Sequence, residues 1–191
     1  MSMIGNFRTT SDADIDALMA RPKRIELMLY GEHVADKTSK GGIFSFFKKK
    51  KKEDPTDNWK PEEPGAEFDV DKAWHGIHFL LTGSAWEGSG PEAFIVAGGT
   101  EIGDIDVGYG PARAFKSKDV HAIAERLKTI DKSSLETHCD KKAFLENEIY
   151  PEIWDEKPED CFGYLLEYFE MLKQFIIKAA EDKKALIVYL N

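Results

Sequence analysis

Within the run DKAWHGIHFLLTG, Asp71 to Gly83, one carboxylate and two imidazoles recur at helical spacing. On a helix of about 100° per residue, Val70, Trp74, Ile77 and Leu81 form a buried stripe. Asp71, His75, His78 and Thr82 then gather along one edge of it, about 80–140° from its centre. His75 and His78 stand three residues apart, close enough to share a metal ion if Asp71 or a distant ligand completes the set. A general-base histidine oriented by Asp71 is the other chemistry these residues could perform. The structural alternative is a hydrogen-bonded boundary histidine at 78 and a solvated one at 75. No HExxH context is present to decide.

A second constellation is GGTEIGDIDVGYGPAR, Gly98 to Arg113, with glycines at 98, 99, 103, 108 and 110. Glycine allows positive φ and close approach of backbone to a ligand. The stretch has the P-loop gap between Gly103 and Gly108, but Tyr109-Gly110 stands where Lys-Ser/Thr is needed, and it does not read GxGxxG. Glu101, Asp104 and Asp106 would repel phosphate unless a cation intervened. In an extended chain Asp104 and Asp106 point the same way, as a pair of Mg²⁺ or Ca²⁺ ligands would. The alternative is a twisted turn with solvated acids, in which Arg113 pairs with one of the carboxylates.

A third is Ile43-Phe44-Ser45-Phe46-Phe47 followed by Lys48 to Lys52. Phe44, Phe46 and Phe47 beside five lysines suit weak contact with an anionic membrane surface, or stacking on single-stranded nucleic acid. They equally suit a solvated loop whose aromatics fold back on the domain. The segment 37–62 holds eight lysines against four acids and no sustained period. It reads as a mobile surface loop or insertion, because like charges in a block repel and extend.

The elements that must position these groups follow from periodicity. Met3 to Phe7 reads as a strand. Ser11, three before Asp14, opens a helix bearing Ile15, Leu18 and Met19. Pro22 suits a second helical start, although Ile25 to Tyr30 could also extend as a strand. Asp69 or Asp71 caps the helix that Gly83 ends. Ala93 to Ala97, AFIVA, reads as a buried strand, and Gly98 to Arg113 as the loop after it. Ser117 caps a helix with Val120, Ile123, Ala124, Leu127 and Ile130 inward. Ser133 with Glu136 caps a shorter one, and Asp140 starts another that stops before Pro151. Pro158 begins the longest helix, to about Asp182, whose aromatics read as packing. Trp154 reads as an anchor for the connection before it. Ala185 to Leu190 closes the pattern as a strand that could pair with the first. The implied class is α+β: a single compact domain, residues 1–191, with a small mixed or antiparallel sheet packed by several helices.

Composition narrows the function classes. The 191 residues carry 26 basic and 35 acidic side chains, a net −9, and −13 once 37–62 is set aside. That balance argues against sequence-specific nucleic-acid binding. Cys139 and Cys161 are too few for a disulfide scaffold and lack CxxC spacing. There is no GxSxG and no dinucleotide fingerprint. The N-terminal stretch lacks the pattern of a signal peptide, and the longest purely apolar run, six residues, is far below a membrane span. A cytoplasmic location is the expectation.

DKAWHGIHFLLTG, the EIYP run Glu148 to Pro151, GYGPAR at Gly108 to Arg113 and the closing ALIVYL strand occur together in this order. The chain resembles the YfbM-like proteins, a bacterial domain of unknown function, over roughly residues 1–30 and 66–191. The resemblance implies a compact α+β fold; it carries no activity, cofactor or catalytic residue. Two functions stand open. One is a non-enzymatic binding protein, immunity-like, whose acidic body recognises a basic protein partner. The other is a metal-dependent or His-based hydrolytic enzyme with a site between helix 71–82 and loop 98–113. The candidate residues for ligand or partner are Asp71, His75, His78, Asp104, Asp106, Tyr109 and Arg113. No cofactor is implied and no metal ligand set is assigned.

Overall fold

The computed structural model describes residues 2–31, 58–154 and 157–191. The lysine block and Phe44 to Phe47, with the membrane contact read from them, lie outside the described residues. The elements run β1 (Gly5–Thr10), α1 (Asp12–Ala20), α2 (Arg24–Tyr30), β2 (Glu67–Asp69) and α3 (Trp74–Thr82), then β3 (Thr100–Asp106) and β4 (Pro111–Phe115). They continue with α4 (Ser117–Lys128), α5 (Lys132–Glu136), α6 (Lys141–Glu146), α7 (Pro158–Glu181) and β5 (Ala185–Leu190). The five strands form one sheet in the order β2-β1-β5-β4-β3, and every neighbouring pair is antiparallel. The chain is thus a single α+β domain in which the longest helix is followed by a strand.

The closing strand ALIVYL shows why this sheet sits where it does. Side chains alternate across a strand. Leu186 and Val188 join Phe7 and Phe115 in a core shared with α3, α4 and α7. Ala185 and Ile187 join Ala112 and Ala114 in a second core with Ile15, Leu18, Ile25 and Met28 of α1 and α2. A strand covered on both faces has no polar face to show, so its sequence is apolar throughout.

Capping decides the helix starts. Ser11 Oγ accepts the Asp14 N–H at 3.0 Å. Asp14 is itself buried, and its carboxylate accepts from Thr10 Oγ1 at 2.8 Å and from the Glu62 N–H at 3.1 Å. That second bond seats the described end of segment 37–62, where Trp59 packs on the smaller core and Arg24 lies over its ring. One expectation is corrected here, and the expected helix after Pro22 is found. Ser117 is the first residue of α4 rather than its cap; its N–H and Oγ both donate to Asp12, at 2.7 Å each, so an acid of α1 closes the start of α4. Residues 25–30 are helical, and Gly31 ends that helix in the left-handed region.

Two larger corrections concern the middle of the chain. AFIVA is not a strand. A 3₁₀ turn, Pro91–Ala93, runs into a helical turn in which Ala97 N–H donates to Ala93 O. Phe94 and Ile95 are buried, as an apolar run requires, but burial alone does not select extended backbone. The glycine-rich loop after it is a β-hairpin, β3 to β4, with an irregular register between Glu101 and Asp106. Gly103, Gly108 and Gly110 take positive φ at that irregularity and at the turn.

Candidate functional site

Every residue of α3 from Trp74 to Leu80 is buried. The polar edge expected from the wheel is therefore interior, and both histidines are completely inaccessible to solvent. They face the irregular segment that follows. Gly83 ends α3 in the left-handed region, and the chain turns back over the helix. Thr82 Oγ1 sits between the carbonyls of His78 and Ser84, at 2.8 and 3.1 Å, and fixes the reversal.

His75 joins two loops. Its Nδ1 accepts the Tyr150 N–H at 3.0 Å, and an amide can only donate, so the ring proton is on Nε2. Nε2–H donates to Ala85 O at 2.8 Å. The ring packs against two indoles, 4.8 Å from Trp74 and 4.3 Å from Trp86 between centroids. His78 repeats the device one turn on, with Nε2–H donating to Glu87 O at 3.1 Å. Its Nδ1 is buried and has no hydrogen-bond partner among the described residues. Burial lowers the pKa of both rings, and that of His78 falls to about 4, with the His75 and Arg113 charges adding to the effect.

Among the described residues Arg113 forms no ion pair with a carboxylate. Its guanidinium donates to Ala97 O at 2.6 Å, to Gly98 O at 3.0 Å and to Ile95 O. Burial brings its pKa down to about 10, against the pull of Glu101 across the hairpin. His75, His78 and Arg113 thus perform one task. They bond five carbonyls of residues 85–98, a stretch with no strand partner to satisfy them.

The remaining candidates share no side-chain hydrogen bond with this group among the described residues. Asp71, at φ 46°, accepts from Tyr164 Oη at 3.0 Å, and that oxygen accepts the Lys72 N–H at 3.2 Å. Burial and the neighbouring carboxylate raise the Tyr164 pKa. Asp106 accepts the Gly108 and Gly110 N–H groups at 2.9 and 3.0 Å, which shapes the hairpin turn and lowers its own pKa. Asp104 and Tyr109 are exposed, and the Tyr109 N–H donates to Leu190 O. Among the described residues no three His, Cys, Asp or Glu side chains gather as a metal site would require. His75 has no free lone pair, since Nε2 carries the proton and Nδ1 is an acceptor.

Sequence reasoning missed Trp86. It stands in GSAWEGSG, and its ring is 59% exposed. The flanking carbonyls of Ala85 and Glu87 are the two that the histidines hold. A large aromatic among glycines and serines, outside any apolar period, was the available signal.

The buried histidines make stability depend on pH. The unfolded chain protonates them near 6.5, and the folded chain protonates His78 only near 4. Below pH 6.5 the unfolded state therefore binds more protons, so this contribution is complete above 6.5 and is lost as pH falls toward 4. Thermal melts from pH 7.5 to 4 should show a midpoint that drops more steeply for the parent than for His78→Gln, whose amide can still donate to Glu87 O. Parallel curves would show that His78 is not the group responsible.

These features define an α+β protein with an antiparallel sheet covered on both faces, in which side-chain donors hold an irregular loop against a central helix. The chain belongs to the family described as a domain of unknown function, DUF1877, whose model matches residues 1–189. Its fold is also that of the crystal structure titled as a protein of unknown function, YfbM, from Escherichia coli. The TM-score is 0.63 at 19% identity, over 98% of this chain and 99% of that one. No curated protein matches the sequence. Among the described residues no helix is long and apolar enough to cross a membrane.

Proposed function

We propose that this chain is a non-enzymatic binding protein that recognises a basic protein partner, in the manner of an immunity protein. The observation that carries this reading is that His75, His78 and Arg113 all bond the chain's own backbone carbonyls. The groups on which a hydrolytic site would depend are thereby committed to holding a loop. By contrast, Glu87, Glu101, Asp104, Glu148 and Glu152 are exposed on a chain of net −9. Complementary charge accelerates encounter and fixes register between proteins.

The test is a purified pair. A partner captured from lysate is identified, produced alone and titrated against this chain by calorimetry between 20 and 500 mM salt. The expected partner is basic, and its affinity falls steadily with salt because exposed charge pairs are screened. A partner that is acidic, or whose affinity ignores salt, would overturn the reading.

A further inference from the structure

We propose that Trp86 and Tyr150, with the neighbouring Glu87, Glu148 and Glu152, form a docking patch for an arginine side chain displayed by a basic protein segment. This deepens the reading above and rests on it. The aromatic centre comes from two loops brought together by α3. Trp86 and Tyr150 each lie against Trp74, at 6.0 and 5.9 Å between ring centroids, and His75 bonds the backbone of both loops. Trp74 and His75 are buried, Tyr150 is half-buried and Trp86 stands out, so the cluster presents its indole to solvent.

Three arguments select the occupant. A tryptophan face is the strongest aromatic surface for a cation, and a guanidinium stacks on it more readily than an ammonium. Exposed carboxylates neighbour both aromatics along the chain: Glu87 follows Trp86, and Glu148 and Glu152 lie two residues to either side of Tyr150. Acids so placed repel anions and favour a cationic side chain with an apolar stem. The indole is also held in place before binding. The carbonyls on both sides of Trp86 are bonded to α3, and the Glu87 N–H donates to Ser84 Oγ at 3.1 Å. Little conformational freedom is then lost when a partner docks.

Octa-arginine and octa-lysine peptides of equal charge are the probes, titrated at low salt into the full ¹⁵N-labelled chain. The expected result is a shift of the Trp86 indole N–H and of the Tyr150 amide, with octa-arginine at least fivefold tighter than octa-lysine. Trp86→Ala should weaken octa-arginine at least tenfold while leaving the amide spectrum dispersed. The triple change Glu87→Gln, Glu148→Gln, Glu152→Gln should flatten the salt dependence. If both peptides bind elsewhere and Trp86→Ala alters nothing, the patch is refuted and recognition of a basic partner stands. If neither peptide binds at any site, both readings fail. Trp86→Gln, which places a polar side chain at the exposed position, guards against a folding defect in the alanine variant.

Discussion

Trp74→Ala should lower the unfolding free energy by about 3–5 kcal/mol, the range for removing a fully buried aromatic side chain from a core. The ring is wholly inaccessible, its Nε1–H donates to Met3 O at 3.2 Å, and it underlies His75, Tyr150 and Trp86. Its loss removes packing from the main core and the floor of the exposed patch together. Urea melts should show the fall. A loss below about 1 kcal/mol would mean that the surrounding side chains close the cavity and that the stack carries little energy.

Arg113→Met should cost about 2–4 kcal/mol in the same measurement. The expectation follows from three charge-assisted hydrogen bonds to the carbonyls of Ile95, Ala97 and Gly98, left without a donor by an apolar side chain of similar length. Hydrogen exchange should report the site of damage, with protection lost across 93–99 and retained in β5. Arg113→Lys should recover part of the loss, since one ammonium cannot span the carbonyls that the planar fork reaches. A variant as stable as the parent would show that water replaces the guanidinium at no cost.

What the sequence made legible was periodic. The stripe Val70-Trp74-Ile77-Leu81, the face of α4 and the terminal strands rest on spacings that persist over several residues, and they define the class of fold. The histidines were legible as a pair on one edge of a helix. Their burial was not, because a wheel ranks faces by apolarity and does not register a loop that folds over the polar edge. AFIVA failed for a different reason. Five apolar residues fit a strand or a helical turn equally, and the choice between them was made by Pro91 before the run and by Arg113, sixteen positions beyond Ala97, taking up the carbonyls. The glycines of 98–113 signalled departures from ordinary backbone, and a hairpin with an irregular register needs those as much as a ligand loop does. Asp106 was read with Asp104 as a ligand pair or as a solvated acid of a turn; its partners are two amides of its own turn.

The pairing of β1 with β5 has a bearing on biosynthesis. Gly5 to Thr10 is joined to Ala185 to Leu190, so the sheet's middle strand is the last to leave the ribosome. β5 lies between β1 and β4 in the finished sheet, so until then both strands lack a neighbour. Contacts across so long a stretch of chain form slowly, and open apolar edges invite other chains during the delay. Slower translation or added chaperone should therefore raise the soluble fraction of this protein.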